Sequence, residues 1–205
     1  MGTRNLTLVK SKNEYKVAQY GQWDGYPKGQ GIKILNILRA LNLAEFQQKV
    51  DVLKEISEEQ LEKLWKKCGA DNSGFANMEV SEKFEKNYPH LHRDCGGEVL
   101  ELIAFGKVKE VALDVEFAGD SLFCEWAYVI DFDKNTFEVY QGFSKQPLPD
   151  DARFKFLEEE GKEYKPVRIV AKWSLDNLPT EEDLINLQSE REEAEDQKVA
   201  AASGT

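Results

Sequence analysis

Hydrophobic and polar residues alternate in two short stretches at the start of the chain. Residues 4–10 and 14–21 both follow this two-residue period and are rich in β-forming side chains. Such alternation is typical of strands that bury one face, and the polar residues 11–13 between the two stretches favour a tight turn. The chain is therefore predicted to open with a β-hairpin.

The apolar period becomes that of an α-helix after residue 31. Helices are predicted at 31–42, 44–56, 58–68, 79–86 and 96–105. Ser57 and Gln60 form a capping-box pattern just before and within the helix at 58–68. Further strands are predicted at the end of 107–117 and at 122–131, 136–140 and 166–173, followed by an acidic helix at 181–196.

Strands thus come first, helices next and further strands last. This order is typical of an α+β protein and differs from alternating βαβ units. We predict an antiparallel sheet formed by the N-terminal hairpin and the later strands, with several helices packed on it. Residues 1–198 are predicted to form a single α+β domain, and 199–205 a flexible tail.

The net charge of −11 narrows the range of partners. It opposes contact with nucleic-acid phosphates and with anionic membranes, so we predict neither partner. We also expect no transmembrane helix, because no apolar run reaches about 18 residues, and no signal peptide, because the N-terminus lacks an apolar h-region. The three cysteines, Cys68, Cys95 and Cys124, are not spaced as metal or disulfide pairs. The simplest expectation is a reduced, cytoplasmic protein with no structural metal; its oligomeric state stays open.

Residues 19–31 concentrate side chains that seldom occur together. These thirteen residues hold three aromatic rings, three side-chain amides, one carboxylate and four glycines. Flat apolar groups with a few polar ones are what a small-molecule pocket needs. The candidate ligand-binding residues here are Gln22, Trp23, Asp24 and Tyr26, with the two rings stacking a planar ligand. A tight, glycine-built connection with buried aromatics is the alternative.

The glycines of this stretch complete no familiar cofactor motif. Gly25, Gly29 and Gly31 match neither the dinucleotide fingerprint nor the phosphate-binding loop, so no cofactor is predicted. A free helix N-terminus after residue 31 can still bind an anion, which leaves phosphate binding as a further alternative.

Residues 88–97 form the second concentration of polar groups. Arg93 and Asp94 are candidate ligand-binding residues, because an arginine beside a carboxylate can hold a planar or acidic ligand through paired hydrogen bonds. The alternative is an ion pair that orders the loop. We predict that the 22–27 loop and the 93–94 loop together form one pocket.

The same segment brings two histidines near a cysteine. Cys95 precedes the predicted helix at 96–105, where the helix dipole favours a thiolate, and His90 or His92 could act as its base. A zinc site would lack an obvious fourth ligand, so no metal is predicted. Ordinary loop and capping roles for these residues are the alternative.

Several blocks of sequence resemble one family. The opening MGTRNLT and the segment YKVAQYGQWDGYP at 15–27 are similar to a widespread family of uncharacterised proteins of fungi, bacteria and phages. Arg93–Asp94 before a helix and the segment FCEWAYVID at 123–131 match further blocks, so the similarity covers residues 1–145. No established activity follows from this resemblance.

The N-terminal hairpin is also similar to that of N-terminal nucleophile (Ntn) hydrolases of the bile-salt-hydrolase type. In those enzymes a first strand opens with Met-Cys, and a returning strand ends in Arg-Asn-x-Asp beside that cysteine. Asp24 falls where such an aspartate would lie, but Gly2 replaces the nucleophile and no arginine precedes Asp24. The resemblance implies a fold, and Thr3 would serve as nucleophile only if Met1 and Gly2 were removed.

Three functions follow from these observations. The first is binding of a small planar or polar ligand in the pocket of the two loops, with Asp24 serving function more than stability. The second is hydrolysis, for which Thr3, Asp24 and Cys95 are the candidate catalytic residues. The third is an acidic protein-interaction module whose aromatic residues are simply part of the core.

Overall fold

The computed structural model describes residues 2–71 and 76–189. Its strands are β1 (Asn5–Ser11), β2 (Glu14–Gly21), β3 (Lys54–Glu55), β4 (Glu110–Val111), β5 (Trp126–Asp131), β6 (Thr136–Gln141) and β7 (Arg168–Ser174). β1 and β2 pair antiparallel through the turn at 12–13, which confirms the N-terminal hairpin. The α+β class is confirmed as well, because helices follow this hairpin and pack on a sheet.

Six α-helices lie within the described residues. They are α1 (Ile32–Ala40), α2 (Leu43–Val50), α3 (Glu58–Cys68), α4 (Met78–Asn87), α5 (Val99–Phe105) and α6 at 181–189. None of these helices has the length and apolarity needed to cross a bilayer. The predicted tail at 199–205 and the end of the predicted helix at 181–196 lie outside the described residues.

The predicted start of one helix is confirmed, whereas the predicted end of another is wrong. α3 begins at the predicted capping box: Ser57 accepts a hydrogen bond from the Gln60 N–H, and the Gln60 side chain accepts one from the Ser57 N–H. The helix predicted at 44–56 ends earlier, at Val50. Beyond it the N–H groups of Lys54 and Ile56 donate to carbonyl groups at 109 and 111, and these tertiary bonds draw the chain into β3.

The main sheet is mixed, whereas the sequence predicted an antiparallel one. Its strand order is β2-β1-β5-β6-β7, with β1 and β5 parallel and the other neighbours antiparallel. Alternation along a strand carries no information about the direction of a distant partner. β2 ends beside the start of β1, and the long helical segment after β2 returns the chain to that same end of the sheet, so β5 runs parallel to β1.

Both faces of the sheet are buried at its middle strand, β5. Trp126, Tyr128 and Ile130 of β5 face a core that includes residues of α1, α2 and α5. The intervening Ala127 and Val129 face a second core, formed with the segments 115–119 and 148–167. This division follows from the two-residue period of a strand. Each large side chain that is fully buried contributes about 1.5–3 kcal/mol to stability.

A β-bulge decides the orientation of Tyr15. The register of β1 and β2 shifts after Val9, which leaves Lys16 as an extra residue in β2. Simple alternation predicts Tyr15 on the same face as Val17. The bulge turns the Tyr15 ring to the opposite face instead, where it stacks on Phe154.

A buried group of charges, the Arg153 cluster, ties the 148–167 segment to the sheet. Arg153 donates to Asp131 at 2.5 Å and to Glu138 at 2.9 Å, and the Tyr140 hydroxyl donates to Glu138 at 2.6 Å. Burial acts to raise the pKa of Asp131 and of Glu138, but the hydrogen bonds from Arg153 and other donors outweigh it and hold both pKa values below their ordinary range. The cluster is therefore a structural ion pair network.

Candidate functional site

The 22–27 loop leads from β2 into α1 through a short π-helical turn, Pro27–Gly31. Asp24 has a φ of 52°, in the left-handed region that aspartate, asparagine and glycine tolerate best. The Gly25 N–H donates to the Thr3 carbonyl oxygen at 2.9 Å, and the buried Tyr128 hydroxyl donates to the Gly25 carbonyl oxygen at 2.8 Å. The loop backbone is thus held by buried partners.

The structure places the two predicted loops side by side. The Gln22 N–H donates to the Arg93 carbonyl oxygen at 3.0 Å. The Gln19 side-chain amide adds a second link, since its nitrogen donates to the His92 carbonyl oxygen at 3.2 Å. β2 is an edge strand, and the Gln22 bond is made by the residue that follows its last position.

Most side chains predicted to bind a ligand lie on the outside of this junction. Trp23 is 50% exposed and Tyr26 is 38% exposed. Asp24, Arg93 and Asp94 are exposed too, and Arg93 Nε lies 3.8 Å from Asp94 Oδ1. The loops come together, but these side chains do not form the walls of an enclosed pocket.

A cleft of about 540 Å³, which we call the Arg93 cleft, opens beside this junction along the edge of β2. Its lining residues are Gln19, Tyr20, Leu61, Leu91, Arg93, Ala112, Asp114, Glu116, Phe117 and Asp120. The rings of Tyr20 and Phe117 pack edge to face with centroids 5.0 Å apart. The Tyr20 hydroxyl donates to the side chain of half-buried Gln22 at 2.6 Å. Of the predicted site residues, Arg93 lines the cleft, whereas Trp23, Asp24 and Tyr26 do not.

Gln19 lines this cleft and has a side-chain hydrogen-bond acceptor without a donor. The residue is 2% exposed, and its amide oxygen has no hydrogen-bond partner within the described part of the chain. Its amide nitrogen is already used to bond the Tyr20 and His92 carbonyl oxygens. A buried polar atom without a partner costs about 1–3 kcal/mol and is uncommon in folded proteins. The oxygen has almost no accessible surface, so a donor group on a ligand would satisfy it only after a small movement of the atoms that cover it.

Sequence reasoning missed the acidic wall of the cleft. Asp114, Glu116 and Asp120 belong to no motif, and their close spacing in a segment of mixed character was the one available signal. They reach the cleft because the Asp114 N–H donates to the Ala18 carbonyl oxygen, which sets this segment beside β2. That pairing joins residues far apart in the chain.

A second cleft, of about 470 Å³, shares Leu91 and Arg93 with the first. Ser81 and His92 line it and form a Ser–His–Asp arrangement with Asp94, which lies outside its lining. Ser81 Oγ lies 3.1 Å from His92 Nε2, and His92 Nδ1 lies 3.7 Å from Asp94 Oδ2. The distances resemble those of a catalytic triad, but the Asp94 backbone N–H donates to Nδ1 at 3.3 Å. Nδ1 is therefore an acceptor, and the proton of the neutral ring is on Nε2, which donates to Ser81. A general base needs that nitrogen free.

The thiol of Cys95 is poorly suited to nucleophilic attack. The residue is buried, and this burial raises the pKa of Cys95 to about 12. The thiol is protonated at neutral pH, whereas reactive cysteines have a lowered pKa. The environment therefore does not favour a Cys95–histidine pair.

The N-terminal segment is also packed in a way that bears on the Ntn alternative. A Cβ atom on Gly2 would lie 2.4 Å from the Trp23 ring and 2.5 Å from the Gln22 carbonyl oxygen. A cysteine at this position, as in the Ntn hydrolases, does not fit this backbone. Thr3 is 5% exposed, and its carbonyl oxygen is engaged by Gly25.

Comparisons of the chain with protein-family models, with curated proteins and with solved structures find no match. The family resemblance of residues 1–145 therefore stays a prediction. Within residues 2–71 and 76–189, no three histidine, cysteine, aspartate or glutamate side chains are grouped closely enough to hold a metal ion.

Proposed function

We propose that the protein binds a small polar molecule with an apolar part in the Arg93 cleft. The observation that carries this proposal is the buried Gln19 amide oxygen, which lacks a partner in the wall of the cleft. The volume of about 540 Å³ lies within the range of small-molecule sites. Tyr20 and Phe117 supply apolar contact, and Arg93 supplies a charged group at the rim.

The proposed site shares one residue with the pocket predicted from sequence and differs from it in the others. Arg93 stays in the site, while Gln19 and the 112–120 segment take the place assigned to Trp23, Asp24 and Tyr26. The 22–27 loop contributes indirectly, because its hydrogen bond from Gln22 holds the Arg93 backbone. A change in that loop would alter the cleft through Arg93.

The test is a thermal-shift screen of a metabolite library against the wild type and two matched variants. Leu61→Trp places a large ring in the cleft, whereas Val52→Trp adds the same ring at a position that is 74% exposed and outside the cleft. A ligand that binds the folded state raises the melting temperature by mass action. We expect at least one compound to stabilise the wild type and Val52→Trp but not Leu61→Trp.

Two results would contradict the proposal. The first is a screen in which no compound stabilises the wild type. The second is a set of compounds whose effect is unchanged in Leu61→Trp, since their site would then lie elsewhere.

The interaction-module alternative has its own supporting observation, the half-exposed ring of Trp23. A large exposed aromatic ring is a common anchor of protein interfaces. If this alternative holds, Trp23→Ala abolishes binding to a partner protein while the metabolite screen gives no stabilising compound. The same screen therefore separates the two functions.

A further inference from the structure

The Arg93 cleft carries an excess of negative charge. Asp114, Glu116 and Asp120 line it together with a single arginine. None of the three acids forms an ion pair with a residue that the structure describes. Arg93 itself lies 3.8 Å from Asp94, so its charge is partly matched from outside the lining of the cleft. The cleft therefore favours a cation.

The pKa of the Asp114 carboxyl group reflects its burial first and the nearby negative charge only to a lesser degree. Partial burial raises the pKa of Asp114, a backbone hydrogen bond from Tyr20 opposes that rise, and the nearby charge of Glu116 adds to it. A positive group placed in the cleft would act in the opposite direction and stabilise the charged carboxylate.

A divalent metal is a poor match for these acids. Metal sites bring several oxygen ligands to one point at about 2.0–2.6 Å. The three carboxylates do not form such a group within the described residues. A larger cation, whose donors can reach separated acceptors, fits this arrangement better.

The remaining walls indicate the shape of that cation. The Gln19 amide oxygen calls for an N–H or O–H donor, and the Tyr20–Phe117 pair offers an aromatic surface. We infer that the ligand is an organic cation, in which a protonated primary amine is joined to an apolar or aromatic body. This inference rests on the proposed function and adds the chemical class of the ligand.

The experiment uses three probes of similar shape and different charge, measured by isothermal titration calorimetry. They are 3-phenylpropylamine, 3-phenylpropan-1-ol and 3-phenylpropionate, which are cationic, neutral and anionic at neutral pH. We expect the amine to bind at least about tenfold more tightly than the alcohol, and the acid to bind most weakly.

Two variants assign the effect to the cleft. Asp114→Asn removes one of its charges, and we expect it to weaken amine binding about tenfold while alcohol binding is unchanged. Glu160→Gln removes an equal charge from an exposed position outside the cleft, and we expect less than about a twofold change, because distant exposed charges are screened. Circular dichroism of both variants checks that the fold is kept.

The outcomes separate the two proposals. If the alcohol or the acid binds as tightly as the amine and Leu61→Trp blocks it, the cleft binds small molecules but the ligand is not a cation. If the amine binds equally well to Asp114→Asn, the ligand class assigned to this cleft is also wrong. If no probe binds at millimolar concentration and the metabolite screen is empty, the proposed function itself fails.

Discussion

Asp24 combines an exposed carboxylate with a left-handed backbone, and each property predicts a different effect of mutation. With φ at 52°, alanine at this position costs about 1 kcal/mol, whereas asparagine and glycine tolerate the conformation. We expect Asp24→Ala to lower the free energy of unfolding by about that amount in urea titrations, and Asp24→Asn and Asp24→Gly to leave it nearly unchanged.

The same variants test the hypothesis that Asp24 serves binding. Asp24 does not line the Arg93 cleft, so Asp24→Asn is expected to leave the affinity for 3-phenylpropylamine unchanged. A loss of about tenfold with unchanged stability would instead show that the carboxylate contacts the ligand, as the sequence suggested.

Experiment can also decide whether His92 and Ser81 act as a catalytic pair or as a structural hydrogen bond. The hydrogen bond from the Asp94 N–H to Nδ1 places the proton of neutral His92 on Nε2, and this tautomer is observable by nitrogen NMR. Ser81→Ala would leave a buried Nε2–H without its acceptor, at a cost of about 1–3 kcal/mol in the free energy of unfolding. Ser81→Thr keeps the hydroxyl and is expected to retain more of the stability.

Because that tautomer cannot take a proton from Ser81, we also expect no reaction of the protein with a fluorophosphonate probe. Stoichiometric labelling that disappears in Ser81→Ala would show that the pair is a working nucleophile and base. The NMR result would then have to show the proton on Nδ1.

The Arg153 cluster belongs to the scale of elements, since it joins β5 and β6 to the 148–167 segment. Arg153→Met leaves Asp131 and Glu138 buried without their cation, and breaking a buried pair in this way costs about 3–5 kcal/mol. We expect a loss of stability of that size at neutral pH. Arg168→Met is a suitable control, because Arg168 bonds carbonyl groups at an exposed site.

This loss should depend on pH in a definite direction. The pKa values of Asp131 and Glu138 are lowered in the folded wild type, so their stabilising contribution is present above the ordinary carboxyl pKa of about 4. It is lost as the pH falls through the lowered folded values. In Arg153→Met, protonation of Asp131 and Glu138 removes their unpaired charges. The difference in the free energy of unfolding between variant and wild type therefore becomes smaller on acidification towards about pH 4. A difference in the free energy of unfolding that stays constant from neutral pH to about pH 4 would contradict this account.

At the scale of the whole molecule, the net charge of −11 adds a field that reinforces the acidic cleft. The Debye length falls from about 10 Å at 0.1 M salt to about 3 Å at 1 M, so salt screens all but the nearest charges. We expect the affinity for 3-phenylpropylamine to fall severalfold between these conditions, while that for 3-phenylpropan-1-ol changes little. Equal salt dependence of the two probes would show that charge does not drive binding.

The sequence by itself determined the features that depend on near neighbours in the chain. Alternation at 4–10 and 14–21 was sufficient for the hairpin, and Ser57 with Gln60 was sufficient for the start of α3. Both signals arise from contacts within a few residues or across one short turn. Composition also drew attention to Arg93, which lines the cleft.

The tertiary structure alone decided how distant parts of the chain meet. The parallel pairing of β1 with β5, the bulge that turns Tyr15, and the approach of Asp114 to Ala18 all depend on contacts between residues that are separated in sequence or on the register of a strand pair. The cleft and its unpartnered Gln19 oxygen result from these long-range contacts. Local residue patterns do not encode them, because the same alternation is compatible with either strand direction and with several registers.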